Sequence, residues 1–201
     1  SYACQYKSIS YLAGPRASVL VKDGRAYSLG AMGHLYCFDA ATGVVLWSKD
    51  LDALYEIQMP VWGIAGSPLI EGNVIIVPVS GKDDACLVAF DVKTGAEQWR
   101  ALPEGANYSS PIMIDQGTSK VLVYWSAQRV VGLDPSQGEL RWEYALAPKS
   151  TPLGVSTPVW HRDLLFVTGF YDGCALLRVP RDDVIIEEVW RRRGPSETKT
   201  D

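Results

Sequence analysis

The fold is decided by Asp91-Val-Lys-Thr94-Gly95-Ala-Glu-Gln-Trp99, a stretch whose spacing recurs twice more in the chain. The other two copies keep the Asp, the Gly and the Trp at the same separations: Asp39, Gly43 and Trp47, then Asp134, Gly138 and Trp142. The copies start 52 and 43 residues apart. A fixed motif at such intervals indicates a repeat architecture made of supersecondary units.

Each repeat also contains short apolar runs separated by turn residues. A Ser or Thr opens the first run of each unit: Ser18, Ser67, Ser110 and Thr157. Three more apolar runs follow, and the fourth carries the Trp. Four short strands per unit of this length are typical of a β-propeller blade. The last unit lacks the Asp-to-Gly turn, and Val184–Trp190 is predicted to supply its fourth strand.

The sequence therefore predicts an all-β fold, a β-propeller of about four blades, each a four-stranded antiparallel sheet. The blades are expected at approximately residues 14–50, 62–102, 107–146 and 154–192, within a propeller region of 14–193. Residues 1–13 are predicted to form an N-terminal strand or staple. Residues 194–201 are predicted to be a disordered tail, because they are polar and lack apolar anchors.

The residue types of the motif suit a turn followed by a packing strand. An Asp side chain accepts hydrogen bonds from backbone N–H groups of a turn, and Gly adopts the positive φ that closes a bulged hairpin. The Trp lies on the outermost strand, where its ring buries on the order of 150–250 Å² against the neighbouring blade. We therefore expect the Trp residues, including Trp190 in the last unit, to clamp each blade to the next.

Composition excludes several classes of function. A net charge of −4 gives no basic surface for nucleic acid, and no apolar run approaches the roughly 18–20 residues of a membrane span. The chain has two histidines, too few for a three-histidine zinc site. Its four cysteines are far apart and resemble neither a metal site nor a redox pair. Cys37, Cys86 and Cys174 lie in or beside apolar runs, so we expect them to be small buried hydrophobic side chains.

Residues 89–99 resemble the Ala-x-Asp-x-x-Thr-Gly-x-x-x-Trp tryptophan-docking motif of the PQQ-type (pyrroloquinoline quinone-like) β-propeller repeat. The resemblance extends from about residue 14 to residue 190. The first copy departs from the motif only at Cys37, which replaces Ala. The third departs at Gly132, which replaces Ala, and at Gln137, which replaces Thr.

The resemblance implies two kinds of function. One is a quinoprotein dehydrogenase, which holds PQQ and Ca²⁺ and oxidises alcohols or sugars. The other is a non-enzymatic propeller, similar to the lipoprotein of the outer-membrane β-barrel assembly machinery, which binds proteins. The dehydrogenases commonly carry two adjacent cysteines over the cofactor, and no two cysteines are adjacent here. The acidic residues that remain lie in turn-like contexts: Asp83, Asp84, Asp172, Asp182 and Asp183.

We therefore predict a protein that is not an enzyme, has no catalytic, cofactor-binding or metal-binding residues, and acts as a protein–protein interaction scaffold. The alternatives are part of a PQQ-dependent dehydrogenase, with PQQ and Ca²⁺ as cofactors, and a ligand-sensing propeller domain. Four residues near strand ends form the predicted binding surface: Arg16, Trp62, Tyr108 and Trp125. Packing between blades is the alternative role for the aromatic ones. Leu51–Val61 is a further candidate contact loop.

The blade number raises the question of how the ring closes, since rings of the family usually have seven or eight blades. We expect first that the chain is part of a longer protein, and second that two copies form a homodimer with an eight-bladed ring. A compact four-bladed ring is the third alternative. Most relatives are exported, so the resemblance implies a periplasmic or extracellular location in a bacterium, with any signal peptide absent or removed.

Overall fold

A computed structural model describes residues 4–10, 14–147, 153–171, 173–181 and 183–192 of the chain. These residues form four antiparallel sheets of four strands each, in which the strands pair in chain order. The prediction of an all-β fold made of four-stranded blades is confirmed. The chain divides into two compact units, Ser1–Ala106 and Asn107–Asp201, each of which contains two blades.

The first unit holds two blades and a short helix. The first blade comprises β1 (Leu20–Lys22), β2 (Arg25–Leu29), β3 (His34–Asp39) and β4 (Val45–Asp50). The helix α1 (Leu51–Tyr55) follows directly; the Asp50 side chain caps it by accepting the N–H of Ala53 at 3.2 Å. The second blade comprises β5 (Leu69–Glu71), β6 (Val74–Pro78), β7 (Leu87–Asp91) and β8 (Glu97–Ala101).

The second unit holds the other two blades. The third blade comprises β9 (Ile112–Gln116), β10 (Ser119–Trp125), β11 (Arg129–Leu133) and β12 (Leu140–Ala145). The fourth comprises β13 (Val159–His161), β14 (Leu164–Gly169), β15 (Gly173–Arg178) and β16 (Glu187–Arg192). The fourth strand of this last blade begins three residues later than predicted. The Asp183 carboxylate accepts the N–H groups of Val184 and Ile185, and both residues lie before the strand.

Each blade has a register shift at the same place, between its third and fourth strands. The shifts lie at Cys37/Phe38, Ala89/Phe90, Gly132/Leu133 and Leu176/Leu177. In the first three blades a glycine with φ of 71 to 74° closes the turn just beyond the shift: Gly43, Gly95 and Gly138. Such an extra residue bends the outer strand and increases its twist. The bulge therefore sets the position of the Trp that follows.

The core of each unit lies between its two blades. In the first unit, alternate side chains of the first blade pack on those of the second, among them Tyr27, Leu35, Ile75, Val77 and Phe90. In the second unit the corresponding cluster includes Val121, Val123, Trp142, Leu165 and Leu177. Because side chains of a strand alternate between the two faces of a sheet, each blade presents a second face away from this cluster.

No helix among the described residues is long and apolar enough to cross a membrane. The predicted tail, residues 194–201, lies outside the described residues.

Candidate functional site

The tryptophan-docking motif forms a joint between the two blades of the first unit. The indole N–H of Trp47 donates to the carbonyl oxygen of Val92, in the turn of the second blade, at 3.1 Å. The ring lies directly over Gly95: a methyl group added there would come within 2.9 Å of Trp47. Gly95 is therefore required both by its positive φ and by the ring that it accommodates.

The Asp of the motif organises the turn that makes this joint possible. Asp91 Oδ1 accepts the backbone N–H groups of Lys93 and Thr94 and the hydroxyl of Thr94, at 2.8 to 3.0 Å. Asp39 makes the same set of bonds to Ala41 and Thr42. Hydrogen bonds from the Thr lower the pKa of both carboxyl groups, because these bonds favour the ionised form.

The third copy of the motif keeps this function with different partners. Ser136 takes the place of the Thr and donates both its N–H and its hydroxyl to Asp134 Oδ1. The Arg141 guanidinium donates to the other oxygen of Asp134. The Ser136 hydroxyl, followed by Arg141, lowers the pKa of Asp134 from 3.8 to about 2. The substitution of Thr by Gln137 in the motif is thus compensated by a neighbouring residue.

Asp134→Asn is expected to remove a stabilisation that depends on pH. The carboxylate has a lower pKa in the folded chain, so its contribution is complete above pH 4 and is lost as pH falls towards 2. We expect a loss of about 1 kcal/mol at pH 7, reduced from the full pKa difference by partial exposure. Denaturant unfolding between pH 7 and pH 2 measures it, with Asp115→Asn, an exposed carboxylate on β9, as control. Parallel pH profiles for wild type and Asp134→Asn would contradict the assignment.

The joint in the second unit is built differently from that in the first. The fourth blade has no Asp-to-Gly turn, and the Trp142 indole donates instead to the side-chain oxygen of Gln116 at 3.0 Å. The amide nitrogen of Gln116 donates in turn to the carbonyl oxygens of Pro180 and Asp183, at 2.7 and 3.0 Å. Gln116 thus links the third blade's Trp to the turn of the fourth blade.

Trp142 also lies against its own blade. A methyl group added at Gly132 would come within 2.1 Å of the indole ring, so only glycine leaves room for it. The first two blades have Cys37 and Ala89 at this position, each paired with its Trp across the strands. The replacement of Ala by Gly132 in the motif therefore allows the indole to lie on its own sheet.

Two open clefts lie on the surface of the described residues. The larger, about 390 Å³, lies beside Trp142 in the second unit and includes Gln116, Arg141, Arg181 and Val184. The other, about 210 Å³, lies in the first unit and is lined by Gln5, Lys7, Met32, His34, Asp50 and Asp52. The Cys4 sulfur lies 3.8 Å from His34 Nδ1. His34 is the first residue of β3.

The four residues of the predicted binding surface differ in how deeply they are buried. Tyr108 and Trp125 are buried, 8% and 4% exposed, which favours the packing alternative for both. Arg16 and Trp62 are half-buried. Arg16 donates to the carbonyl oxygen of Ser10 and lies against Gly63, next to Trp62. A binding role for Arg16 and Trp62 stays a prediction, and the two are close together in the first unit.

A pair of exposed aromatic residues was missed by the sequence reasoning. Phe170 and Tyr171 form the tip of the hairpin between β14 and β15 and are 72% and 48% exposed. Their rings meet edge to face, with centroids 4.8 Å apart. The sequence did contain a signal, since two aromatic residues stand between Gly169 and Gly173 in a turn context.

A quinone–calcium site would need oxygen ligands that converge on the ion. Ca²⁺ takes six to eight oxygen ligands, several of them carboxylates. Within the described ranges no three His, Cys, Asp or Glu side chains are placed to hold a metal ion. Asp83 and Asp84 are exposed and take positive φ in a turn, whereas Asp172 and Asp182 lie outside the described residues. The four cysteines are free thiols.

Comparison with known proteins gives one family match that covers most of the chain. The model of the family described as outer membrane protein assembly factor BamB matches residues 8–200. BamB of Moranella endobia is 28% identical over 142 residues, which is 69% of this chain and 35% of that protein. The quinoprotein alcohol dehydrogenase PedH of Pseudomonas putida is 31% identical over 137 residues, 64% of this chain and 22% of that protein.

A solved structure agrees with the fold. BamB from Moraxella catarrhalis superposes with a TM-score of 0.66 at 16% identity, over 92% of this chain and 54% of that one. At this identity the likeness concerns the fold alone. The chain spans 22% and 35% of the length of the two curated relatives that it matches.

Proposed function

The chain belongs to the PQQ-like β-propeller family of the outer membrane protein assembly factor BamB, and we propose that it is a non-catalytic scaffold that binds other proteins. We further propose that it acts outside the cytoplasm of a bacterium, as the description of the family suggests. The observation that carries the scaffold proposal is the exposed aromatic tip, which we define as Phe170 and Tyr171.

The aromatic tip has the properties of a protein contact site. Aromatic residues are enriched at protein interfaces because they bury a large area with little loss of conformational freedom. The tip is held to the body of its unit by a hydrogen bond from the Phe170 N–H to the carbonyl oxygen of Leu153, at 3.1 Å. Val155, close to this anchor in sequence, is also 53% exposed. The corresponding hairpin tip of the first blade, Ala31 and Met32, is buried instead.

The chemistry of the motif supports the same proposal. The Asp residues bond their own turns, and Gly95 accommodates the Trp47 ring. Trp47 donates to the second blade, and Trp142 donates to Gln116, which in turn bonds the fourth blade. These groups are engaged in holding the blades together. A dehydrogenase would need a further set of carboxylates around its cofactor, for which the described residues offer no cluster.

Site-specific cross-linking in bacterial cells tests the proposal. A photoreactive benzoyl-phenylalanine at position 170 is expected to yield covalent adducts with other proteins. Position 139 is the control, because Glu139 is exposed and lies in the turn before β12. The photoreactive residue at this position is expected to give a yield of adducts at least about tenfold lower, because few surface positions contribute to a protein contact. Equal yields at the two positions would contradict a contact at the aromatic tip.

The quinone alternative requires its own measurement. The purified chain is titrated with PQQ and Ca²⁺, while the absorbance of bound quinone and dye-linked oxidation of ethanol are followed. We expect neither saturable binding nor turnover. Turnover that requires both additions would overturn the scaffold proposal.

A further inference from the structure

The fourth blade presents an apolar face that carries a docking tryptophan. One row of side chains crosses all four strands, as Val159 pairs with Phe166, Phe166 with Leu176 and Leu176 with Trp190. Val159 is 60% exposed and Trp190 39%, whereas the buried Trp142 of the third blade is 3% exposed. We call this row, Val159, Phe166, Leu176 and Trp190, the Trp190 face.

The Trp190 face already has the geometry of a formed joint. The Phe166 and Trp190 rings are 6.1 Å apart at an angle of 53°. In the first blade, whose Trp is docked, Tyr27 and Trp47 are 6.0 Å apart at the same angle. Trp47 and Trp190 are also alike in that the residue two positions later is basic. Lys49 extends over Gly95 in the formed joint, and Arg192 lies over the Trp190 ring.

The first blade contains an open copy of the turn on which Trp47 docks. In the second blade, Gly95 is buried under Trp47, and Val92 supplies the carbonyl oxygen. The turn of residues 39–43 has the same internal hydrogen bonds as this turn, and Ala40 occupies the position of Val92. The N–H of Ala40 donates to the β1–β2 turn, as the N–H of Val92 donates to the β5–β6 turn. Yet Gly43 is exposed, and a methyl group added there would meet nothing within 4 Å. We call residues 39–43 the Gly43 turn.

The sheet beside the Gly43 turn matches this role. Val21, Ala26, Phe38 and Val45 form one row on the first blade, and Val21 and Val45 are 69% and 48% exposed. In the second blade the residue that corresponds to Phe38 is Phe90, which is 1% exposed and packs against the first blade. The first blade thus has an apolar row beside the Gly43 turn, at the position where the second blade packs against the first.

We propose that the Trp190 face of one chain docks on the Gly43 turn and the adjoining apolar row of a second copy of the chain. One chain has both the Trp190 face and the Gly43 turn. The same pair of features is already joined in its first unit, where Trp47 docks on the turn of the second blade. The contact is heterologous, so each copy offers one half to each neighbour. Trp190 then donates to the carbonyl oxygen of Ala40, and the open space above Gly43 takes its ring. This inference does not depend on the proposed function.

Sedimentation equilibrium of the purified chain tests the proposal. The wild type is expected to form complexes of at least two copies. Trp190→Ala removes the docking ring, and Gly43→Asn fills the open space with a residue that tolerates positive φ. Each is expected to raise the dissociation constant by about 30-fold or more, as for an interface hot spot. Gly72→Asn, at an open glycine with φ of 55°, is the matched control and is expected to leave association unchanged.

Mixing the two variants distinguishes head-to-tail docking from other contacts. Trp190→Ala retains an intact Gly43 turn, and Gly43→Asn retains an intact Trp190 face, so an equimolar mixture is expected to recover complexes that neither forms alone. Circular dichroism of each variant verifies that its fold is kept. A wild type that stays monomeric, a mixture that recovers nothing, or a Trp190→Ala chain that associates like wild type would each overturn the proposal.

Discussion

Replacing Trp142 with alanine is expected to lower the free energy of unfolding by about 3–5 kcal/mol, as for other large-to-small changes in a core. The indole is 3% exposed and packs in the cluster that joins the third and fourth blades. Its loss would leave a cavity and would also leave the Gln116 side-chain oxygen without its donor. Because a domain is stable by only about 5–15 kcal/mol, this is a large share of the total.

Trp190→Ala is the matched control, since it removes the same side chain from the same position of the motif. Trp190 is 39% exposed, so we expect a smaller cost of about 1–2 kcal/mol when the chain is dilute enough to be monomeric. Urea unfolding of both variants, followed by circular dichroism, gives the comparison. Equal costs for the two substitutions would show that burial at the joint between blades is not what Trp142 contributes.

The repeated turns could be predicted from the sequence because their determinants are local. Asp91, Thr94 and Gly95 form one hydrogen-bonded turn within five residues, so their spacing alone indicates the structure. The same holds for β2, because turn residues on both sides of Arg25–Leu29 mark the ends of this strand. Local chemistry of this kind is independent of the rest of the chain.

The joint of the second unit could not be predicted in the same way. Trp142 is bonded to Gln116, which lies 26 residues earlier, and Gln116 reaches carbonyl groups 64 and 67 residues later. No spacing rule connects these positions, because Trp142 and Gln116 lie on the two edge strands of the third blade and Gln116 meets the fourth blade only when the two blades pack together. The sequence did show that the fourth blade lacks the usual turn, but it did not show which residue replaces it.

Exposure of aromatic residues was equally hard to infer. Tyr108 and Trp125 stand at strand ends, where either burial or exposure was consistent with the pattern, and both are buried. The N–H of Tyr108 bonds the Asn107 side chain, which also accepts the N–H of Gly154. Asn107, the residue before Tyr108, is therefore bonded to a segment 47 residues away.

Gly132→Ala is expected to destabilise the chain by about 2–3 kcal/mol, although it adds a single methyl group. That methyl group would lie 2.1 to 2.6 Å from three atoms of the Trp142 ring, which is held in place by its bond to Gln116. Overpacking of a core typically costs 1–3 kcal/mol. The backbone at Gly132 does not have positive φ, so the cost comes from the contact with the ring and not from the conformation of the chain.

The double variant with Trp142→Ala separates these two causes. Once the ring is absent, the added methyl group occupies part of the space it leaves, and alanine restricts the unfolded chain more than glycine does. We therefore expect Gly132→Ala to be neutral or slightly stabilising in that background, with a coupling energy of about 2 kcal/mol or more between the two positions. Unfolding free energies of the four chains provide the cycle. Additive effects would mean that the indole does not lie on Gly132, and the described joint between the third and fourth blades would then be wrong, because the same ring position places the indole N–H on Gln116.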